Sequence, residues 1–310
     1  MVYQKKAHHS AINNEKVDMT RRNFLTSIGG SGLLLQSSLA ASPQESAQND
    51  HSVSREFEIE VDGRSITPRL ISPPPKRLAT RPLLLLNLSG ERETSLTVHP
   101  YAMAAEFFLA EGHRVVSFDL PNHGKRMDKY GEGLTGWRNA FADGKDPLHM
   151  SVEEASAIIS WSIRGGFAET GRIVVYGISR AGYLGLRMLA SDARLAAAAA
   201  IAPVTDWGVL SEFAADRKHE YLPSLNLSRY ADQLAGKPVF IVIGNADNRV
   251  STLSCSHFFL DLQEANVRHG HGTSWTEFAC ASMAAIGHVV DDSWRRMGAE
   301  FLLKRTARPH

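Results

Sequence analysis

The chain has 310 residues, 43% hydrophobic and 22% charged, an ordinary globular balance with length for one large core. Lys and Arg total 34 against 33 for Asp and Glu, which lacks the basic bias of a nucleic-acid partner. No stretch beyond the N-terminal region reaches the roughly 18 apolar residues of a membrane span.

The N-terminal region is of another class. In "TRRNFLTSIGGSGLLLQSSLAAS", Arg21 and Arg22 precede Phe24-Leu25, a mildly apolar run and the small residues Ala40, Ala41 and Ser42. This resembles a twin-arginine export signal, a receptor-read address outside the fold; a basic amphipathic helix is the alternative. Residues 1–42 are read as the signal, cleaved near Ala40–Ser42, with Met1 and Met19 both open as the start. The resemblance implies export of the folded protein by the twin-arginine machinery, hence a periplasmic or secreted bacterial location. The polar residues 43–54 read as a flexible linker, and 55–310 as one folded domain.

Residues 56–72 alternate around Asp62-Gly63, the pattern of a β-hairpin. "LLLLNLSG" (83–90) is a strand buried on both faces. "YAMAAEFFLAEG" (101–112) is a helix closing on Gly112, and "HRVVSFDL" (113–120) the next strand. "SVEEASAIISWSIRGG" (151–166) reads as a helix whose Ser151 and Glu154 form a capping box. "RIVVYGIS" (172–179) is a third strand, and a helix follows it. "LAAAAAIAPVTDW" (195–207) is a helix by propensity; alternation requires a strand in its second half. "KPVFIVIGNADNRV" (237–250) is a strand, "STLSCSHFFLDLQEANVRHG" a helix with a Ser or Thr cap, "SWTEFACAS" (274–282) the last strand, and a helix closes the chain. This alternation predicts an α/β fold, a mostly parallel sheet with helices on both faces. Ligands of such sheets bind beyond the carboxyl ends of the strands. Cys255 and Cys280 lack metal-site spacing; a disulfide and two free thiols both stay open.

Ser179 stands at one strand end. Gly177-Ile178-Ser179-Arg180-Ala181 matches Gly-x-Ser-x-Gly with Ala in the last place, followed by Gly182. A serine that merely caps the helix is the alternative. A nucleophilic serine needs a base and an orienting acid. His288, in "AAIGHVVDD" after the last strand, is the expected base; His123, in "DLPNHGKR", stabilises its own loop or lines the pocket. Asp247, after the strand of 237–250, is the expected acid, with Asp206 as its rival.

The order Ser179, Asp247, His288 resembles that of the α/β-hydrolases, a likeness covering nearly everything from residue 56 on. "LLLLNLSG" falls at the family's oxyanion loop, "FDLPNHGKR" is similar to its Asp-x-Pro-x-His-Gly segment, and "IGNADNRVS" to its acid loop. The closest subgroup is the dienelactone hydrolase and prolyl-oligopeptidase-like esterases. Where members often have His-Gly, this chain has Asn87-Leu88. The oxyanion hole implied by the resemblance uses the backbone N–H of Arg180 and of Leu88, with residue 89 as the alternative second donor. The expected activity is ester hydrolysis without metal or organic cofactor, on a small-acyl or carbohydrate ester. Residues 204–235 form a small cap or pocket wall in which Trp207, Phe213 and Tyr221 meet the substrate or simply pack. An amide-cleaving peptidase of the same fold and a non-catalytic binding protein are the other readings.

Overall fold

The computed structural model describes residues 52–306. The segment read from the sequence as an export signal, 1–42, and the expected linker up to residue 51 lie outside the described residues. The domain opens with β1 (Val53–Glu56), β2 (Ile59–Val61), β3 (Arg64–Ile66) and β4 (Arg69–Ser72). The expected hairpin is β2–β3, turning on Asp62 and Gly63 with φ of 47° and 73°. Positive φ at both positions matches the right-handed twist of the flanking strands. β1 pairs antiparallel with β4, so Val53 and Ser54 belong to a strand and not to the linker.

In chain order follow β5 (Leu84–Leu88), α1 (Arg92–Thr97), α2 (Met103–Ala110), β6 (Arg114–Ser117), α3 (Gly133–Ala142), α4 (Pro147–Arg164), β7 (Ile173–Ile178), α5 (Arg180–Ser191) and β8 (Leu195–Ile201). Then come α6 (Tyr221–Ser224), α7 (Ala231–Leu234), β9 (Val239–Gly244), α8 (Thr252–Arg268), β10 (Thr276–Ala281) and α9 (Asp292–Thr306). The main sheet has eight strands in the order β1-β4-β6-β5-β7-β8-β9-β10. All neighbours from β6 to β10 are parallel; β4 joins β6 antiparallel. Every residue of β5, β7 and β9 is buried, as their mainly apolar runs predict; the one polar residue, Asn87 of β5, is buried too.

Helices cover both faces. On β7, Val175 meets α5, where a Cβ on Gly185 would lie 3.2 Å from its side chain. The next residue, Tyr176, points the other way, and a Cβ on Gly298 of α9 would lie 3.3 Å from its ring. β8 lies beneath both helices, which explains a correction to the sequence reading. The strand takes the first half of 195–207, including the run Ala196–Ala200, and not the second. Alanine is the best helix former, but a central strand squeezed between two close helices needs small side chains, and burial decides.

The alternative start of α4 is a second correction. Asp146 caps the helix, accepting from the N–H groups of Leu148 and His149 at 3.0 and 2.9 Å, with Pro147 at the first position. Ser151 therefore sits inside the helix and donates to Pro147 O at 2.7 Å. Glu154, at 0% exposure, is no capping partner; it accepts two 2.7 Å hydrogen bonds from Arg126. Arg126 also donates to Asp119 O, so the pair anchors the loop after β6. Replacing Glu154 by Gln leaves a guanidinium without its carboxylate and should cost about 3 kcal/mol, read from urea unfolding; a loss within experimental scatter overturns this role.

From β5 the chain steps outward to β6, then recrosses β5 to enter β7. The loops after β5 and β7 diverge there, opening a crevice at the carboxyl ends of the strands. Leu88, the last residue of β5, is in register with Gly177 of β7.

Candidate active site

Ser179 joins β7 to α5 with φ 59° and ψ −121°. A non-glycine residue in that region is strained, a state that persists only where the surroundings impose it. They do so here. Ser179 N–H donates to Ile201 O at 2.8 Å, and its carbonyl accepts from Val204 N–H at 3.2 Å. A Cβ on Gly177 would lie 2.2 Å from Ala181 O, and one on Gly182 would lie 3.1 Å from Pro203. The tight approach thus falls on Gly177 and Gly182, and Ala181 fits fully buried in the place where the motif has glycine. Gly177→Ala puts a methyl into a backbone oxygen and should cost about 4 kcal/mol or more; near-wild-type thermal unfolding would contradict this packing. Ser179 is the N-terminal boundary residue of α5, yet its hydroxyl makes no capping hydrogen bond. That disposes of the simple cap reading.

Asp247 lies in the loop after β9. Its Oδ2 accepts from His288 Nδ1 at 2.7 Å. Its Oδ1 accepts from the N–H groups of Arg249 and Val250 at 2.9 and 3.0 Å. Burial pushes this carboxyl up, but the His288 hydrogen bond and the two amides outweigh it and hold the pKa below the usual carboxylate value. The Asp247 side chain is 0% exposed, whereas His288 keeps 27%. With Nδ1–H given to the carboxylate, Nε2 is left as the basic nitrogen.

Contacts the sequence did not suggest hold this pair. Gly287 N–H donates to Ala246 O at 3.1 Å, and Met283 N–H to Asn245 Oδ1 at 3.1 Å, tying the His288 loop to the acid loop. Gly287 has φ 130°, which only glycine adopts readily. Thr252 Oγ1 accepts from Asp247 N–H at 3.0 Å and donates to Gly244 O at 2.6 Å. Arg249 pairs with Glu212, coupling the acid loop to the segment after β8. Asp206, the rival acid, caps the turn Trp207–Val209 by accepting from Gly208 N–H at 2.8 Å. It is not the carboxylate bonded to His288.

On the other side of the crevice, Arg180 opens α5, where helical N–H groups lack intrahelical acceptors. Leu88 is buried at the end of β5. Asn87 turns inward, donating to Ser95 O and Tyr101 O at 2.5 and 3.0 Å. His123 is buried. Its Nδ1 faces Pro121 O at 2.8 Å and its Nε2 faces an Arg180 guanidinium nitrogen at 2.7 Å. Burial, with the Arg180 charge second, pulls His123 down to about 4, so the ring is neutral, donates from Nδ1 and accepts at Nε2.

The expected aromatic wall is placed differently. Trp207 is 0% exposed, with ring centroids 5.6, 5.1 and 5.5 Å from those of Trp137, Tyr183 and Phe213. It therefore offers a ligand no face to stack on, and Phe213 is equally buried. Tyr221 is partly buried and stacks on Phe141 at 5.1 Å. The segment 204–235 folds as short turns around this aromatic cluster, α6 and α7 each having only four residues. Cys255 is buried, Cys280 exposed, and both are free thiols. No helix among the described residues is long and apolar enough to cross a membrane.

Among the solved structures that share this fold at low identity are the following three. A cold-adapted esterase from an Arctic intertidal metagenomic library is 21% identical, with TM-score 0.59 over 81% of this chain and 93% of that one. An esterase of Pyrococcus furiosus is 18% identical, with TM-score 0.57 over 82% and 93%. A candidate dienelactone hydrolase of Klebsiella pneumoniae is 16% identical, with TM-score 0.60 over 84% and 100%. Residues 96–306 match the alpha/beta hydrolase family as a sequence pattern, and that span holds the strained serine turn, the acid loop and the His288 loop. The chain therefore belongs to the alpha/beta hydrolase family.

Proposed function

We propose that this protein is a serine hydrolase that cleaves carboxylic esters through Ser179, His288 and Asp247. The observation that carries the reading is the 2.7 Å hydrogen bond from His288 Nδ1 to the buried Asp247, at the same end of the sheet as the strained Ser179. In this mechanism His288 Nε2 takes the Ser179 proton as the oxygen attacks the ester carbonyl, then returns it to the departing alcohol. Asp247 fixes the imidazole tautomer and balances its charge. The N–H groups of Arg180 and Leu88 hold the developing oxyanion, each donor being worth about 3 kcal/mol. Water activated by His288 then cleaves the acyl-enzyme and regenerates the serine. The chemistry draws only on side chains and backbone amides.

Two of the structurally similar proteins are esterases, which favours an ester over an amide. The short turns of 204–235 leave no large lid, which favours a small-acyl or carbohydrate ester over a long-chain lipid. The Arg21-Arg22 segment supports export by the twin-arginine machinery and a periplasmic or secreted site of action.

The test is labelling of the purified protein with a fluorophosphonate, mapped by peptide mass, beside His288→Ala. An adduct on Ser179 that requires His288 is the expected result. Folded protein that takes no label would overturn the catalytic reading and leave a binding role.

A further inference from the structure

Arg180 carries a positive charge beside the proposed nucleophile and makes no direct ion pair; the carboxylate that acts on it, Glu212, is itself bonded to Arg249. The guanidiniums of the surrounding loops are matched: Arg249 pairs with Glu212, and Arg138 with Asp216. Among the described residues no carboxylate lies within 4.0 Å of Arg180; its hydrogen-bond partner is the neutral ring of His123. The residue is partly buried, and burial, with the Arg249 charge second, pushes the guanidinium pKa down against a weaker upward pull from Glu212. If the side chain served only to hold the loop, an uncharged donor would hold His123 at lower cost.

The neighbours hold this charge in place without quenching it. His123 is trapped on its other side, where a Cβ on Gly90 would lie 2.9 Å from its ring. Gly133, with φ 60°, lies over the pair, and a Cβ there would lie 3.4 Å from Arg180 Nη1. The guanidinium thus rests against the segment after β6, at the N-terminus of α5, whose dipole adds to the positive potential.

We propose that Arg180 receives a carboxylate of the substrate, so that the preferred esters are half-esters of short dicarboxylic acids. This rests on the serine-esterase reading above. Arg180 follows Ser179 directly, so the carboxylate and the acyl carbon bonded to Ser179 are only a short span apart, which selects short diacids. A planar, forked guanidinium suits a carboxylate better than an ammonium does.

The experiment compares kcat/KM for 4-nitrophenyl hydrogen glutarate and 4-nitrophenyl valerate, two acyl chains of matched length, in wild type, Arg180→Gln and Arg180→Lys. The wild type should prefer the anionic ester by about tenfold or more, as expected for a hydrogen bond to a charged group. The ratio should fall to about one in Arg180→Gln and recover in part in Arg180→Lys. A wild-type ratio near one, or a ratio that Arg180→Gln leaves unchanged, overturns the proposal. A second arm needs no turnover: calorimetric binding of monomethyl glutarate and dimethyl glutarate to Ser179→Ala and to Ser179→Ala/Arg180→Gln. Saturable binding of the monoester alone, lost with Arg180, supports the site; equal binding of both, or none, overturns it. Failure of the esterase reading shows separately, as wild type that neither hydrolyses the two esters nor takes the fluorophosphonate label.

Discussion

Replacing Ser179 by alanine is expected to lower kcat for ester hydrolysis by about 10⁴-fold or more while the protein stays folded. The rate falls because the oxygen that forms the covalent bond is gone. What remains is whatever the backbone donors and substrate binding supply. The fold survives because the backbone at Ser179 is held from outside, by the bonds to Ile201 and Val204. A glycine at the same position separates the two roles. At φ 59° and ψ −121° the serine backbone is strained, and glycine relieves that strain. Ser179→Gly should therefore be inactive yet more stable than wild type, by about 1 kcal/mol, measured as the shift in urea midpoint. A Ser179→Gly protein less stable than wild type would mean that the turn is not strained. A Ser179→Ala protein of near-normal rate would remove the nucleophile assignment.

Asp247→Asn is expected to lower kcat by about 10⁴-fold, because an amide cannot hold the imidazole in the tautomer that leaves Nε2 basic. Asp206→Asn is the internal control. Its carboxylate only caps one turn, so its loss should cost about 1 kcal/mol or less of stability and leave the rate within a few-fold. Equal rate losses in the two variants would overturn the assignment of Asp247. The same residue sets a pH signature. Its folded-state pKa is lowered, so its ionised form stabilises the fold fully above the unfolded value of about 3.9. That contribution is lost as pH falls through the still lower folded value. The difference in unfolding free energy between wild type and Asp247→Asn should therefore shrink as pH falls from about 4 towards 2. A difference that grew on acidification would contradict the hydrogen bonding of this carboxylate.

The amino-acid sequence by itself determined the alternation of elements, the parallel core and the position of Ser179 at a strand end. Fully apolar runs such as 173–178 leave no exposed face, and the Gly177–Gly182 stretch leaves no room for another turn. These are local constraints, carried by neighbouring residues. Tertiary structure decided the rest. The alanines of 195–201 became a strand because two helices close on β8 from opposite faces, which propensity cannot register. Ser151 and Glu154 looked like a capping box, but Glu154 is consumed by Arg126, 28 residues away in the chain. Trp207 and Phe213 belong to a buried aromatic cluster, since residue type alone does not distinguish a stacking platform from packing. The choice of Asp247 over Asp206, and the pairing of Arg180 with a neutral His123, depend on loops brought together from four strand ends. Such contacts join residues far apart in sequence, and only the folded sheet sets their distance.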